Sequence, residues 1–270
     1  MSVDASLPDD QTLAAIVARV ARPLGLPVML PPPPSVVIDA ASLDFVALAA
    51  LIDHTLLRPD ATAAEIDALC EEAMTYGFAA VCVQPTWVAR CVAALRGSKI
   101  RTISVVGFPL GVTLAEVKRA EAGQLLARGV AELDMVLNVG ALKSGDLALV
   151  YADISAVAEV TRAGGAVLKV ILETGYLTDE EKVAACVLAR AAGADFVKTS
   201  TGFGPGGATA ADIRLMRRVV GEAVGVKAAG GIRTLEQMLQ MIGAGANRIG
   251  ASAGVRIMQE ARQLAEQAHG

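Results

Sequence analysis

The sequence predicts an α/β protein: a (β/α)8 (TIM) barrel with an N-terminal extension. Eight short apolar runs alternate with helical segments, and each segment has its own start and stop signals. Such alternation indicates parallel strands joined by right-handed crossovers. Eight units within one domain of this length fit a closed barrel. A doubly wound sheet is the alternative, but the G-x-G-x-x-G turn expected after its first strand is missing.

The eight apolar runs are continuous rather than alternating, which is typical of strands covered by helices on the outside of a parallel sheet. In chain order the predicted strands lie near Ile52–Leu56, Ala79–Val83, Thr102–Gly107, Glu132–Asn138, Val167–Glu173, Asp195–Ser200, Val224–Ala228 and Arg248–Ser252. Helical stretches separate them, and a last one follows from Val255 to Ala268.

Four of the intervening helices begin with Thr-x-x-Glu/Gln, the capping-box pattern that satisfies free N–H groups at a helix start. The pairs are Thr62/Glu65, Thr113/Glu116, Thr178/Glu181 and Thr234/Gln237. The same helices are predicted to stop at a glycine in the left-handed conformation. These glycines are Gly77, Gly129, Gly193 and Gly245.

Residues 1–41 are predicted to form an extension separate from the barrel domain, residues 42–270. Seven of the eleven prolines lie in the first 34 residues. Between Pro8 and Pro23 the pattern predicts a short helix with one apolar face. That face comprises Leu13, Ile16, Val17 and Val20. The Pro31–Pro34 run favours a stiff polyproline II spacer. The extension is expected to pack on the barrel or on a neighbouring subunit, so we expect a homo-oligomer.

Composition excludes several functions. The net charge is −4, whereas nucleic-acid binding usually shows a basic surface. No run approaches the roughly 18 apolar residues of a membrane span. The acidic start, Met1 to Asp4, has no signal-peptide pattern, so a cytoplasmic location with reduced cysteines is expected. The chain has only two histidines, His54 and His269, which are too few for a typical histidine-based metal site.

Three lysines stand inside apolar strands and carry the chemical argument. They are Lys169, Lys198 and Lys227, each 29 residues from the next, and they fall on consecutive strands. Buried lysine is costly unless it is paired or loses its charge. Clustered cations and burial lower a lysine pKa, and an amine near neutral pKa can form a Schiff base with a carbonyl. Lysines extending to solvent from strand ends, or structural ion pairs, are the alternatives.

Two carboxylates and one thiol occur near the same strand ends. Asp134 is a counter-charge and proton carrier, or alternatively a structural salt bridge to Lys169 or Lys198. Asp53 belongs to the site, or has only a turn role beside its neighbours in the chain. Cys82 is either a site residue or a small buried thiol, which is the commoner role.

Glycine-rich turns follow the sixth, seventh and eighth predicted strands. Glycine lets backbone N–H groups approach an anion, and barrels commonly bind phosphate after strands seven and eight. The sequence therefore predicts a phosphate site there, with Arg233 nearby.

Eight segments in this order resemble the deoxyribose-phosphate aldolase family of class I, Schiff-base aldolases. They are IDHTLL (52–57), VCVQP (81–85), VVGFPLG (105–111), ELDMVLNVG (132–140), LKVILETG (168–175), ADFVKTSTGF (194–203), VKAAGGIRT (226–234) and RIGAS (248–252). The extension is not covered by this resemblance.

The resemblance implies a role for each matching residue. Lys198 would form the Schiff base, Lys227 would favour its neutral amine, and Asp134 would relay protons. Supporting residues would be Lys169, Asp53 and Cys82. The phosphate grip would comprise Gly202, Gly230, Gly231, Arg233, Gly250 and Ser252.

The implied reaction is reversible cleavage of 2-deoxy-D-ribose 5-phosphate into acetaldehyde and D-glyceraldehyde 3-phosphate, with no metal or organic cofactor. The partners would be small sugar phosphates and aldehydes, with no nucleic acid and no membrane. A Schiff-base barrel aldolase for another sugar phosphate and a non-catalytic sugar-phosphate-binding barrel are the alternatives.

The chain departs from the family pattern at three places. Phe203 and Ala253 replace a lysine and a serine that some members carry. The terminal tyrosine of some relatives is absent from Ala268-His269-Gly270.

Overall fold

A computed structural model describes residues 7–34, 38 and 43–269. Eight parallel strands close into a barrel in chain order, because β1 pairs with both β2 and β8. The strands are β1 Ile52–Leu56, β2 Ala80–Val83, β3 Arg101–Val106, β4 Glu132–Val136, β5 Val167–Ile171, β6 Phe196–Lys198, β7 Gly225–Ala229 and β8 Arg248–Ala251. The barrel is confirmed, and the doubly wound sheet is wrong.

Helices surround the barrel and separate its strands. They are α1 Asp10–Ala21, α2 Phe45–Ala49, α3 Ala63–Tyr76, α4 Val88–Ala94, α5 Ala115–Leu126, α6 Val139–Lys143, α7 Leu147–Ala163, α8 Asp179–Ala191, α9 Ala210–Val220, α10 Leu235–Gly243 and α11 Gly254–His269. Strands β4, β5 and β6 end two residues before their predicted ends, because the chain there leaves the sheet to form the loops above the barrel.

Helix starts agree with the sequence in part. Thr234 accepts from the Gln237 N–H, but the Gln237 amide accepts from Arg233, so only half of that box forms. The box predicted at Thr113 is wrong, because α5 begins one residue later, after Leu114, without a side-chain cap. Full boxes are present at Thr62/Glu65 and Thr178/Glu181. All four predicted stop glycines, Gly77, Gly129, Gly193 and Gly245, have positive φ.

The N-terminal helix α1 packs against α8 on the outside of the barrel. Its predicted apolar face, Leu13, Ile16, Val17 and Val20, is buried. On α8 every residue from 183 to 189 is buried, because the barrel covers one face and α1 covers the other. Arg218 of α9 pairs with Asp10 at 2.8 Å and donates to the Pro31 carbonyl at 2.7 Å. The predicted boundary at 41/42 lies outside the described residues.

The apolar core lies between the barrel wall and the surrounding helices, and its largest cluster includes buried residues from all eight strands. Within the described part of the chain, no helix is long and apolar enough to cross a membrane. Inside the barrel, by contrast, charged side chains are buried.

Candidate active site

The strand register sets the heights of the three lysines. Lys198 pairs directly with Lys227 across β6 and β7. Lys169 instead pairs with Phe196, two positions before Lys198, because strands in a closed barrel are staggered. The lysines therefore occupy neighbouring strands, as predicted, but Lys169 lies deeper than the other two. Beyond the end of β6, the Thr199 hydroxyl donates to the Ala229 carbonyl at 2.8 Å and keeps β6 and β7 together.

Asp134 of β4 connects all three ammonium groups. Its Oδ1 lies 3.0 Å from Nζ of Lys169, and its Oδ2 lies 2.8 Å from Nζ of both Lys198 and Lys227. Asp134 is fully buried. Burial by itself would raise the pKa of Asp134, but the three ammonium charges outweigh it and hold the pKa well below its usual range. A salt bridge to one lysine alone does not describe this contact.

Asp53 forms a second buried contact and has more than a turn role. Its carboxylate lies 2.6 Å from Nζ of Lys227 and 2.8 Å from Arg248. Burial opposes its charge, yet these cations and Lys169 lower the pKa of Asp53. For Lys227, burial favours loss of the proton, but Asp134 and Asp53 overcome it and raise the pKa. Lys227 is therefore held as an ammonium ion.

Glu132 and Arg248 complete the network, and the sequence analysis missed both. Glu132 pairs with Lys169, with Arg248 at 3.5 Å and with the half-exposed Arg101 at 2.8 Å. Each of the two residues begins an apolar strand. A charged residue at the first position of an apolar strand is the one sequence feature that could have indicated them. It is equally typical of a strand end that lies in solvent.

The four cations inside this network differ in their carboxylate contacts. Lys169 contacts Glu132 and Asp134, Lys227 contacts Asp53 and Asp134, and Arg248 contacts Asp53 and Glu132. Lys198 contacts one carboxylate, through an oxygen that it shares with Lys227. It has the fewest ion pairs of the four. Lys198 also lines an opening at the C-terminal end of the barrel.

This opening is a cavity of about 310 Å³ formed by the loops after β1, β6, β7 and β8. All six predicted phosphate residues line it: Gly202, Gly230, Gly231, Arg233, Gly250 and Ser252. The segment Thr55–Arg58 also lines it, and the sequence analysis did not assign that segment to the site. Phe203, half-exposed, stands at the same wall and contacts Phe108 edge-on with ring centres 5.4 Å apart.

Glycine is required at two of these turns for different reasons. Gly230 and Gly231 have φ of 93° and 81°, a conformation that residues with a Cβ rarely adopt. At Gly250, a Cβ would lie 3.0 Å from Cε of Lys227. The backbone N–H groups of the turns after β7 and β8 can therefore approach a ligand closely, next to Lys198 and Lys227.

Cys82 lies in β2, away from the cavity wall. It is fully buried in a small cluster with Leu57, Ile103 and Val105. Burial, and to a smaller extent the negative charge of Asp134, raises the pKa of the Cys82 thiol to about 11. The position suits a small buried thiol that packs beside the charge network.

An amine placed among fixed charges, at the end of a barrel that holds active sites, defines a (β/α)8 enzyme suited to carbonyl chemistry. Comparison with known proteins names the family. The family model described as DeoC/LacD family aldolase matches residues 47–260. The chain belongs to this family.

Curated relatives and solved structures agree with this assignment. The deoxyribose-phosphate aldolase of Thermococcus gammatolerans is 59 % identical over 217 residues, 80 % of this chain and 96 % of that protein. The deoxyribose-phosphate aldolase of Thermoanaerobacter pseudethanolicus is 56 % identical over 218 residues, 80 % of this chain and 98 % of that protein.

A tetrameric deoxyribose phosphate aldolase structure from Aeropyrum pernix matches with a TM-score of 0.77 and 30 % identity, over 95 % of this chain and 100 % of that chain. A structure from Coccidioides immitis matches with a TM-score of 0.81 and 40 % identity, over 94 % of this chain and 98 % of that chain.

Proposed function

We propose that this protein cleaves 2-deoxy-D-ribose 5-phosphate reversibly into acetaldehyde and D-glyceraldehyde 3-phosphate, as a class I aldolase with Lys198 as the nucleophile. One observation carries the choice of Lys198. It is a buried lysine that borders the cavity, and its one ion-pair partner among the described residues, Asp134, is shared with two other lysines. The names of the relatives support the substrate.

The amine of Lys198 adds to the aldehyde carbon of the open-chain sugar, and loss of water leaves an iminium ion. Removal of the proton from the C3 hydroxyl then breaks the C2–C3 bond, and the bonding electrons move into the iminium. Glyceraldehyde 3-phosphate leaves with a new carbonyl, and an enamine remains on Lys198. Protonation of the enamine carbon and hydrolysis release acetaldehyde and restore the amine.

Asp134 is the proposed proton carrier. Its lowered pKa keeps it ionised, so its oxygens are available to accept the hydroxyl proton. Lys169, 3.0 Å away, is the adjacent donor that can pass a proton on. Lys227 stays an ammonium ion. Its nitrogen and that of Lys198 contact the same oxygen of Asp134, and repulsion between two positive charges this close favours the uncharged amine of Lys198.

The phosphate group of the substrate would lie on the turns after β7 and β8. Gly230, Gly231 and Ser252 border the cavity there, and α11 begins two residues after Ser252. A helix start directs partial positive charge and free N–H groups toward an anion. Arg233 and Arg58 add guanidinium charge at the same cavity.

Borohydride reduction in the presence of acetaldehyde tests this proposal. We expect a reduced two-carbon adduct on Lys198, located by peptide mass spectrometry, and none in the Lys198→Ala variant. An unmodified wild-type protein would support the alternative of a sugar-phosphate-binding barrel without catalysis. Comparing turnover of deoxyribose 5-phosphate with that of fructose 1,6-bisphosphate separates this aldolase from one acting on another sugar phosphate.

We also propose that the protein forms a homo-oligomer, for which the tetrameric relative from Aeropyrum pernix is the support. Sedimentation equilibrium of the full chain measures this directly. A cytoplasmic location stays a prediction from the sequence.

A further inference from the structure

The loop after β6, residues 201–207, forms one wall of the cavity and is held from both sides. Ala208 donates to the Gly230 carbonyl at 2.9 Å, and a Cβ at Gly207 would lie 2.5 Å from that oxygen. On the other side, a Cβ at Gly175 would lie 1.9 Å from the Pro205 carbonyl. Backbone therefore packs on backbone at both edges of this β6 loop, which leaves it little freedom.

Glu173 lies beneath the β6 loop, on the side away from the cavity. Both carboxylate oxygens accept from the Thr201 N–H at 3.2 Å, and one also accepts from the Thr201 hydroxyl. The Thr201 Oγ1 in turn accepts from the Phe203 N–H at 3.0 Å. One carboxylate thus orders the chain on both sides of Gly202, which lines the cavity.

The backbone of Glu173 is strained in a way that serves this contact. In the described part of the chain it is the one residue other than glycine with positive φ, at 57°. A glycine would adopt this conformation more easily, so we expect the side-chain contact with Thr201 to offset its cost in free energy. Glu173 is 4 % exposed and follows β5 by two residues. Its carbonyl accepts from Tyr176, and Thr174 donates to Thr199 at 3.0 Å, which fixes the main chain.

We propose that Glu173 is a positioning residue that holds the β6 loop, and with it Gly202, in the place where the substrate phosphate binds. The inference rests on the proposed function and adds to it a residue outside the cavity. The Thr201 donors occupy the carboxylate oxygens of Glu173, and the β6 loop lies between this carboxylate and the cavity. Glu173 contacts neither Lys198 nor Asp134 through any of these bonds, so it acts on binding rather than on the chemical steps.

Steady-state kinetics of four single variants tests the inference. With deoxyribose 5-phosphate, Glu173→Ala should raise KM about tenfold, the loss of one to two hydrogen bonds, and leave kcat within about threefold. With unphosphorylated 2-deoxyribose, kcat/KM should stay within about twofold. Thr201→Val should resemble Glu173→Ala in direction, and Glu173→Gln should recover part of the KM because its amide keeps one acceptor oxygen.

Thr174→Val is the matched control. It is adjacent to Glu173, and its hydroxyl is buried without a hydrogen-bond partner in the structure, so KM should not change. Equal losses for both substrates in Glu173→Ala, or a fall in kcat at unchanged KM, would overturn the inference. The double variant Glu173→Ala/Thr201→Val should raise KM by no more than the larger single effect, because both changes break the same contact.

Calorimetric binding of glycerol 3-phosphate separates this inference from the proposed function. Wild-type protein that binds this ligand but does not cleave deoxyribose 5-phosphate would reject the aldolase proposal and leave the role of Glu173 testable. Glu173→Ala should then bind glycerol 3-phosphate about tenfold more weakly than wild type. Glu173→Gln should lose less affinity than Glu173→Ala. Equal affinity in Glu173→Ala and wild type would reject the role of Glu173 whatever the reaction.

Discussion

Lys198 and Lys227 face each other across β6 and β7, and both donate to the same oxygen of Asp134 at 2.8 Å. Their two nitrogens are therefore no further apart than twice that distance. Lys227 has Asp53 as a second carboxylate, whereas Lys198 has no second one within the described part of the chain. The asymmetry assigns different roles to two lysines that look alike in the sequence.

Replacing Lys227 by leucine should reduce cleavage of deoxyribose 5-phosphate by about 10²–10⁴-fold, the usual contribution of a group that controls protonation. Without this cation, Asp134 is left to pair with Lys198 and Lys169, and Lys198 loses its like-charged neighbour. Borohydride trapping on Lys198 should slow in parallel. Lys99→Leu, at an exposed position, is the control and should retain full activity. Full activity in Lys227→Leu would contradict the assignment.

The buried carboxylates predict how stability depends on pH. Asp53, Glu132 and Asp134 have pKa values below their ordinary values of 3.8, 4.5 and 3.8 because of the surrounding cations, which outweigh burial. The folded state thus binds protons less tightly than the unfolded chain. Their contribution to stability is complete above the ordinary values and is lost as the pH falls through the folded values.

Urea unfolding across a pH series measures this contribution. The free energy of unfolding should be nearly level from pH 6 to 8 (about neutral conditions) and fall steeply only below about pH 4.5. Lys227 does not contribute to the loss of stability at acid pH. Its raised pKa gives stability that is fully present below its ordinary value of 10.5 and is lost only at higher pH. A decline that begins above about pH 6 would show that other groups control the acid limb.

The sequence predicted the barrel and the cavity well because both depend on local patterns. Apolar runs indicate strands, and glycine-rich turns after β6, β7 and β8 indicate where backbone can approach a ligand. The parts that it missed depend on distances between strands. Glu132 and Arg248 look like exposed strand ends until the stagger of the barrel places them inside it. For the same reason, equal 29-residue spacing did not show that Lys169 lies deeper than Lys198.

Two other features needed the folded chain. The apolar face of α1 was visible in the sequence, but its partner α8 was not, since any apolar surface could have covered it. The left-handed Glu173 had no signal, because its conformation follows from contact with a loop 28 residues later in the chain.

Lys118 and Asp153 form a fully buried ion pair between α5 and α7, with Nζ 2.5 Å from Oδ2 and 2.9 Å from the Val136 carbonyl. Burial lowers the pKa of Lys118 and raises that of Asp153, so both charges are disfavoured. Lys118→Met should lower the free energy of unfolding by about 3–5 kcal/mol, because it leaves a buried carboxylate unpaired. Lys118→Met/Asp153→Leu should recover most of that loss. Equal unfolding midpoints for the single and double variants would contradict this.

Phe203 offers a direct test of phosphate recognition at the mouth of the cavity. The side chain is 52 % exposed, so a lysine there gains only a partly screened attraction of about 0.5–1 kcal/mol. Phe203→Lys should therefore lower KM for deoxyribose 5-phosphate about two- to fivefold and lose that gain in 1 M salt. Leu110→Lys adds the same charge at an exposed site outside the cavity, and its KM should match wild type. A gain with unphosphorylated deoxyribose would contradict the electrostatic explanation.

Removing residues 1–41 should destabilise the barrel without altering its chemistry. The truncation uncovers the outer face of α8, against which four large side chains of α1 are buried, each worth about 1.5–3 kcal/mol at most. The thermal midpoint should therefore fall by at least about 10 °C. Because α8 stands between α1 and the barrel interior, kcat/KM at 25 °C should stay within about twofold of wild type.

Point variants of the full-length chain separate lost packing from lost length. Val17→Asp places a charge in the contact with α8 and should lower the thermal midpoint in the same direction as truncation. Gln11→Ala changes an exposed position of the same helix and should not. Sedimentation then decides where the extension acts. An unchanged number of subunits after truncation means that α1 stabilises its own subunit, as its contacts with α8 and α9 require. Fewer subunits with an unchanged midpoint would assign it to a subunit interface instead.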